Sequence, residues 1–176
     1  SGCNSVTNMG VITLTKYPNL HTLDLSFCEG VTYEVVITIA ECQHLKELNL
    51  SGCKSVMLEL AGSALAGLKN LHTLNLSWCE HLTDRFVKAI AVCQHLKELN
   101  LRGCKSEINV SAFADCASLH TLNLRCCRGV GVTDEVVVEL AKSTILHTLD
   151  VRECKDVTPE TVKELQIKNP KLNIRR

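Results

Sequence analysis

The chain has 176 residues, enough for one domain of ordinary size, and only 3% of them are aromatic. Nineteen basic and nineteen acidic side chains give a formal net charge of zero, which argues against a general attraction to nucleic acid or to an anionic membrane. No apolar run is long enough to span a bilayer, and residues 1–19 lack the basic start and apolar centre of a signal peptide. We therefore expect a partner that is neither nucleic acid nor membrane.

Residues 1–19 are interpreted as a partial N-terminal repeat, because the chain starts in the middle of a repeat, at its seventh place. We expect the natural protein to extend further toward its N-terminus. From Leu20 onward the phrase Leu-x-x-Leu-x-Leu-x-x-Cys occurs six times. The six copies open at Leu20, Leu45, Leu71, Leu96, Leu119 and Leu146. They are 23 to 27 residues long and cover 20–171, and residues 172–176 begin a C-terminal partial repeat.

A repeat of this length with alternating leucines is the sequence signature of a leucine-rich repeat solenoid. Side chains alternate along a strand, so the fourth and sixth places, Leu23 and Leu25 in the first copy, are predicted to point into a shared core. The third, fifth and seventh places then lie on the opposite face. The pattern predicts an α/β leucine-rich repeat solenoid, or horseshoe, with a parallel concave sheet and convex helices.

The segment that returns from one strand to the next differs between copies. Four copies carry a threonine suited to a helix N-cap, followed by an acidic residue in the first turn, and they predict helices over 33–42, 84–93, 134–143 and 159–168. The second and fourth copies lack this pattern. Their small residues, in 61–67 and 111–114, predict a shorter helix or a 3₁₀ turn.

The eleven cysteines fall mostly into columns. One column is the ninth place of each copy, namely Cys28, Cys53, Cys79, Cys104, Cys127 and Cys154, and Cys3 matches the same place in the partial repeat. Cys42, Cys93 and Cys116 form a second column, and Cys126 belongs to neither. We expect the ninth-place thiols to be buried, reduced and bonded to turn carbonyls. Regularly spaced free thiols predict an intracellular, reducing compartment, cytoplasm or nucleus.

The residues predicted on the concave face change from serine to arginine along the repeats. The fifth place is Asp or Asn in every copy, and we expect a ladder of amides bonded to one another along the sheet. The seventh place is Ser in the first three copies and then Arg102, Arg125 and Arg152. Adjacent guanidinium groups repel unless an anion lies among them, and Asp150 and Glu153 can supply part of that charge. The alternatives are a solvated face and a docking stripe for an acidic or phosphorylated segment.

Two large rings occupy the eighth place, at the rim of the sheet. Phe27 and Trp78 are either partner anchors or covers that pack over the glycine of a neighbouring repeat. We take Phe27, Trp78, Arg102, Arg125 and Arg152 together as the candidate partner-binding residues.

The sequence predicts no catalytic, cofactor or metal site. The histidines at the second place have no acid or thiolate beside them at ligand spacing. Cys126 with His120 or His147 is the one nucleophile and base pair worth naming, and it lacks an orienting third group. We therefore expect a protein that is not an enzyme.

The cysteine-ended phrase, with Leu82-Thr83-Asp84 and Val132-Thr133-Asp134 at following helix starts, resembles the cysteine-containing leucine-rich repeat subclass. Many members of that subclass are F-box proteins. The Leu-His-Thr-Leu motif is also similar to motifs in repeat proteins of kinetoplastid parasites. The resemblance implies a protein–protein interaction module, and its F-box members imply substrate recognition for a ubiquitin ligase. The alternatives are a structural subunit of a larger assembly and the regulatory repeat domain of an enzyme whose catalytic part precedes Ser1.

Overall fold

A computed structural model of the chain describes residues 8–54, 58–106, 108–127 and 131–176, without the side chains of 58–60. Seven three-residue strands form one parallel sheet in chain order. They are β1 (Thr22–Asp24), β2 (Glu47–Asn49), β3 (Thr73–Asn75), β4 (Glu98–Asn100), β5 (Thr121–Asn123), β6 (Thr148–Asp150) and β7 (Asn173–Arg175). The predicted solenoid with a parallel sheet is confirmed.

The leucine pattern explains the register. Leu23, Leu48 and Leu74 stand at the centres of β1, β2 and β3 and pair with one another in the sheet. Because equivalent places stack, the fourth-place leucines form one buried row, and the sixth-place residues form a second row beside it. A single core runs from Val11 to Ile174.

The convex side holds six α-helices and one 3₁₀ helix within the described residues. The α-helices are α1 (Asn8–Leu14), α2 (Tyr33–Ile39), α3 (Leu58–Ala66), α4 (Asp84–Ala91), α5 (Asp134–Leu140) and α6 (Pro159–Lys168), and the 3₁₀ helix is Val110–Asp115. The predicted helix over 159–168 is confirmed residue for residue. The other three begin as predicted and end two or three residues early, because the chain turns there to reach the next strand.

Three of the four predicted threonine N-caps form. The hydroxyls of Thr83, Thr133 and Thr158 each accept a hydrogen bond from a first-turn backbone N–H. Thr32 makes no such bond, and its hydroxyl instead accepts from the Asn8 side chain at 3.1 Å. A bond between neighbouring repeats therefore replaces the cap at this helix.

The prediction for the fourth copy is confirmed and that for the second is wrong. Copy four has the 3₁₀ helix, but copy two has α3, an α-helix of nine residues. Its small residues allow close packing against α4. A Cβ atom built on Gly62 would lie 3.0 Å from Cδ2 and 3.1 Å from Cα of Phe86. The contact between the two helices stabilises a segment whose intrinsic helix propensity is low.

Hydrogen bonds from Ser26 and Asn49 lower the pKa of Asp24, so one step of the expected ladder is present, and the fifth-place oxygens also bond within their own copies. The side-chain oxygens of Asn49, Asn75, Asn100 and Asn123 each accept from the backbone N–H two residues later in the same copy, at 3.0 Å. Asp24 and Asp150 do the same at 2.8 Å and 3.2 Å. The fifth place thus holds the turn at the end of each strand. This turn positions the rim residues described next.

Candidate functional site

The eighth place of every copy adopts a left-handed backbone. Its φ is 56° at Phe27, 63° at Trp78, 60° at Cys126 and 63° at Glu153. Gly52 and Gly103 occupy the same place with φ of 68° and 69°. Residues with a side chain rarely adopt this region, at a cost on the order of 1–2 kcal/mol each. The conformation turns four non-glycine side chains outward along one rim of the sheet.

The two aromatic rings each cover a glycine and still expose their outer part. A Cβ atom on Gly52 would lie 2.4 Å from Cδ1 of Phe27, and one on Gly103 would lie 2.4 Å from Cε3 of Trp78. Each ring therefore covers the glycine of the next repeat, where no other residue fits. Phe27 nevertheless remains 53% exposed and Trp78 42% exposed. The outer part of each ring is available for contact.

Two of the three arginines already have carboxylate partners. The Arg152 guanidinium donates to the buried Asp150 carboxylate at 2.9, 3.2 and 2.5 Å. Burial alone would raise the pKa of Asp150, but the bonds from Arg152 outweigh it and hold that pKa below its usual range. Arg125 binds Glu153 through both Nε and Nη2. The row of cations is therefore partly neutralised from within.

Arg102 differs from its two neighbours. Its guanidinium carbon lies 5.6 Å from the centre of the Trp78 ring, in a cation–π arrangement. Its Nε is buried and finds no hydrogen-bond acceptor among the residues that the structure describes. No carboxylate of the described part of the chain pairs with it. Arg102 is therefore the arginine of this row that can accept an external anion without losing an internal one.

Trp78, Arg102 and Arg125 line one open groove of about 540 Å³, called the rim groove below. Gly103 also lines it, together with Trp78, Arg102, Lys105, Arg125, Cys126 and Glu153. One carboxylate oxygen of Glu153 accepts from Arg125 Nε at 2.9 Å, and the other accepts from the Cys126 thiol at 3.0 Å. The bonds from Cys126 and Arg125 lower the pKa of the Glu153 carboxyl. Lys105 lies 3.4 Å from Glu80.

The structure thus brings together three of the five predicted site residues, Trp78, Arg102 and Arg125. Arg152 does not line the rim groove and is held by Asp150, and Phe27 stands further along the rim over Gly52. Sequence reasoning missed Cys126 and Lys105 as groove residues. The signal for Cys126 was its place, since it shares the eighth position with Trp78 and Glu153.

The cysteine column forms a ladder of weak hydrogen bonds. Five ninth-place thiols each donate to the carbonyl of the sixth-place residue one repeat earlier, over 3.1 to 3.4 Å, namely Cys53, Cys79, Cys104, Cys127 and Cys154. Burial raises the pKa of Cys53 and Cys154 to about 11 and that of Cys79 and Cys127 to about 12. All ten described cysteines are free, and all but Cys126 are buried.

Cys126 should therefore be the one described thiol that reacts readily in the folded protein. In a Cys3→Ser background, we expect a disulfide reagent to modify Cys126 at least about tenfold faster than the buried thiols. The rate depends on how easily the reagent reaches the sulfur atom, and the buried thiols are shielded from it. Cys3 is removed because it lies outside the described residues. Adding Cys126→Ser should abolish the fast phase. A fast phase that survives this change would show that a column thiol is accessible.

The histidines form no catalytic or metal-binding arrangement within the described ranges. His120 and His147 stack with ring centres 5.2 Å apart, and each Nδ1 lies 2.6 Å from a backbone carbonyl oxygen. The thiol of Cys126 bonds to Glu153 and not to either ring. Across residues 8–54, 58–106, 108–127 and 131–176, no three or more His, Cys, Asp and Glu residues cluster as a metal ion would require. No described helix has the length and apolar character needed to cross a membrane.

Comparisons with known proteins agree with this geometry. Residues 18–40, 41–56, 67–91 and 92–105 match the family model described as Leucine Rich repeat. Over these four segments the chain is similar to leucine-rich repeat proteins, and its parallel sheet in chain order is the fold of that class. No curated protein matches this chain significantly in sequence.

Solved structures of leucine-rich repeat proteins share its fold. The internalin inlF from Listeria monocytogenes is 17% identical with a TM-score of 0.66, over 94% of this chain and 50% of the internalin. TLR13, solved in complex with ssRNA13, is 23% identical with a TM-score of 0.60, over 84% of this chain and 20% of TLR13. This chain therefore spans half of one neighbour and a fifth of the other. At such identities the likeness shows the fold alone.

Proposed function

We propose that this leucine-rich repeat protein is an interaction module that binds a protein partner across its concave face and rim. The observation that carries the proposal is the rim groove, where a partly exposed Trp78 stands beside Arg102, whose buried Nε has no described acceptor. Exposed tryptophan and arginine in one concavity are the side chains most often found at the energetic centre of a protein interface. An acidic or phosphorylated segment of the partner supplies the missing acceptor.

The TLR13 neighbour was solved in complex with single-stranded RNA, so nucleic acid is the competing ligand class. Zero net charge favours a protein for this chain, because binding to a polyanion depends mainly on many basic contacts. Arg125 and Arg152 are also already paired with carboxylates. A local cation beside an aromatic ring fits a short acidic segment better than a continuous phosphate backbone.

Among specific roles, substrate recognition for a ubiquitin ligase follows from the resemblance of the cysteine-ended repeats, in a cytoplasmic or nuclear setting. The buried free thiols support that setting, since a reducing compartment keeps them unpaired. A structural subunit or the regulatory part of a larger enzyme would use the same surface differently. Capture of the partner from lysate under reducing conditions distinguishes them: a ligase complex, a stable assembly or a catalytic chain would be recovered.

The concave and rim surface can be tested with the captured partner. We expect Trp78→Ala to weaken binding by about 2 kcal/mol, roughly 30-fold, because it removes the exposed ring beside Arg102. Arg102→Gln should weaken it as well. Arg102 is a cleaner target than Arg125, because removing Arg125 would leave Glu153 without its cation.

Two variants of exposed residues on the convex face serve as matched controls. Ile167→Ala is the control for Trp78→Ala, and Lys142→Gln is the control for Arg102→Gln. Affinity is measured by calorimetry for each purified variant. The proposal is wrong if the two convex variants lose binding while Trp78→Ala and Arg102→Gln retain it.

A further inference from the structure

We propose, resting on the function above, that the rim groove binds one carboxylate of an acidic peptide segment and that Glu153 is the built-in competitor for it. The groove then has a closed form, in which Glu153 occupies Arg125, and an open form, in which a partner's carboxylate lies on Arg102 and Arg125. The proposal narrows the ligand from an acidic or phosphorylated segment to a single acidic residue.

The first step of the argument is the unmet donor of Arg102. Its Nε is buried, and no acceptor for it occurs in the described part of the chain. Buried donors in folded proteins are almost always bonded, so one left open at the wall of a groove points to a ligand oxygen. Trp78 stacks near the same guanidinium and limits its movement, which prepares it for binding.

The second step is the way Glu153 is held. Both of its carboxylate oxygens are bonded, one to Arg125 and one to the Cys126 thiol. The groove therefore already displays how it receives a carboxylate. The Glu153 side chain is 46% exposed, and an exposed ion pair of this kind is held weakly. It can swing outward when another carboxylate arrives.

The third step is the charge of the lining, which selects a carboxylate over a phosphate. Three cations, Arg102, Lys105 and Arg125, face one carboxylate, Glu153. Lys105 is paired with Glu80 and Arg125 with Glu153, which leaves one uncompensated cation. A monoanion balances that charge, whereas a doubly charged phosphate exceeds it. The exposed Trp78 ring favours an apolar residue next to the acid.

The experiment uses Trp78, the single tryptophan of the chain, as its reporter. The probes are acetyl-Leu-Glu-amide, acetyl-Leu-Gln-amide and acetyl-Leu-phosphoserine-amide, titrated into the intact protein. Indole fluorescence is recorded during each titration. The N–H proton signals of Trp78 and of the arginine side chains are followed in parallel by NMR. We expect the Glu probe to bind weakly and to shift the Arg102 Nε–H signal, and the Gln probe to cause no shift.

Glu153→Gln should then tighten binding of the Glu probe by roughly five- to tenfold, because removing a competitor that fills the site most of the time raises the competent fraction. Arg102→Gln should abolish the response of the Trp78 fluorescence and indole N–H signal to the Glu probe, and thermal unfolding confirms that both variants fold. Loss of binding in Glu153→Gln, no response to the Glu probe, or a response to the phosphoserine probe alone would each overturn the inference. Its failure is separable from that of the proposed function, which depends on partner capture and Trp78→Ala.

Discussion

Raising the pH from about 9 to about 11 should unfold this protein cooperatively, because its core contains buried thiols that ionise only after unfolding. The ladder cysteines stay neutral in the folded state. Burial raises the pKa of Cys53 and Cys154 to about 11 and of Cys79 and Cys127 to about 12, from an ordinary value of 9.0, and raises that of Cys104 as well. The unfolded chain loses these protons first.

The protein loses stability at high pH because the pKa values of these thiols are higher in the folded state than in the unfolded chain. Below pH 9 the thiols are neutral in both states, and their contribution to stability is fully present. As the pH rises toward the folded values, each thiol favours unfolding by about 1.4 kcal/mol per pH unit. Five such thiols give about 7 kcal/mol per pH unit, which is comparable with the whole stability of a typical domain.

The measurement is the free energy of unfolding from urea titrations at several pH values between about 8 and 10.5, followed by circular dichroism under reducing conditions. A Cys79→Ala variant is the matched control. It should be less stable at neutral pH, yet its stability should fall less steeply with pH, by about 1.4 kcal/mol per unit. An unchanged slope would mean that ionisation of this thiol is not coupled to unfolding.

The strand array was predictable because one chemical choice repeats. Leucines at the fourth and sixth places demand a buried face with a period of two residues, and stacking of equal units places Leu23 against Leu48 in the only register that keeps both buried. The cysteine burial followed from the same periodicity. Both depend on local pattern alone, and the pattern is present in every copy.

The rim groove could be predicted only in part, because it depends on backbone geometry that side-chain types do not reveal. Glycine at two of the six eighth places was a signal for a left-handed backbone, but Trp78, Cys126 and Glu153 concealed it. Once that conformation is present, Glu153 meets Arg125 across a repeat boundary, 28 residues apart in sequence. The arginine row and two carboxylates that neutralise part of it, Asp150 and Glu153, were found in the sequence, while the pairing of Glu153 with Arg125 depended on this turn.

The length of α3 was missed for a related reason, since propensity competes with packing. Gly62 weakens an isolated helix, but in this fold it allows α3 to approach α4 closely. The gain appears only when Phe86 is placed opposite. A contact between adjacent repeats cannot be predicted when the sequence of each copy is considered separately.

Phe86→Ala should therefore destabilise the protein by about 3–5 kcal/mol, the usual cost of removing a buried aromatic ring. Phe86 is fully buried in α4, and its ring edge and Cα both lie against Gly62. Truncation leaves a cavity between two helices, and the tight contact that holds α3 in place is lost. The α3 helix, with its small residues, has little intrinsic propensity to replace that contact.

Urea unfolding at pH 7 measures the change, and Val92→Ala provides the matched control. Val92 follows the last residue of the same helix but is 74% exposed, so its truncation should change the free energy of unfolding by less than about 0.5 kcal/mol. Phe86→Leu keeps an apolar side chain and should cost less than Phe86→Ala. Amide hydrogen exchange should show loss of protection in α3 before β5 and β6, because each repeat contacts mainly its neighbours. Equal stability of Phe86→Ala and Val92→Ala would show that the contact between α3 and α4 does not support this part of the solenoid.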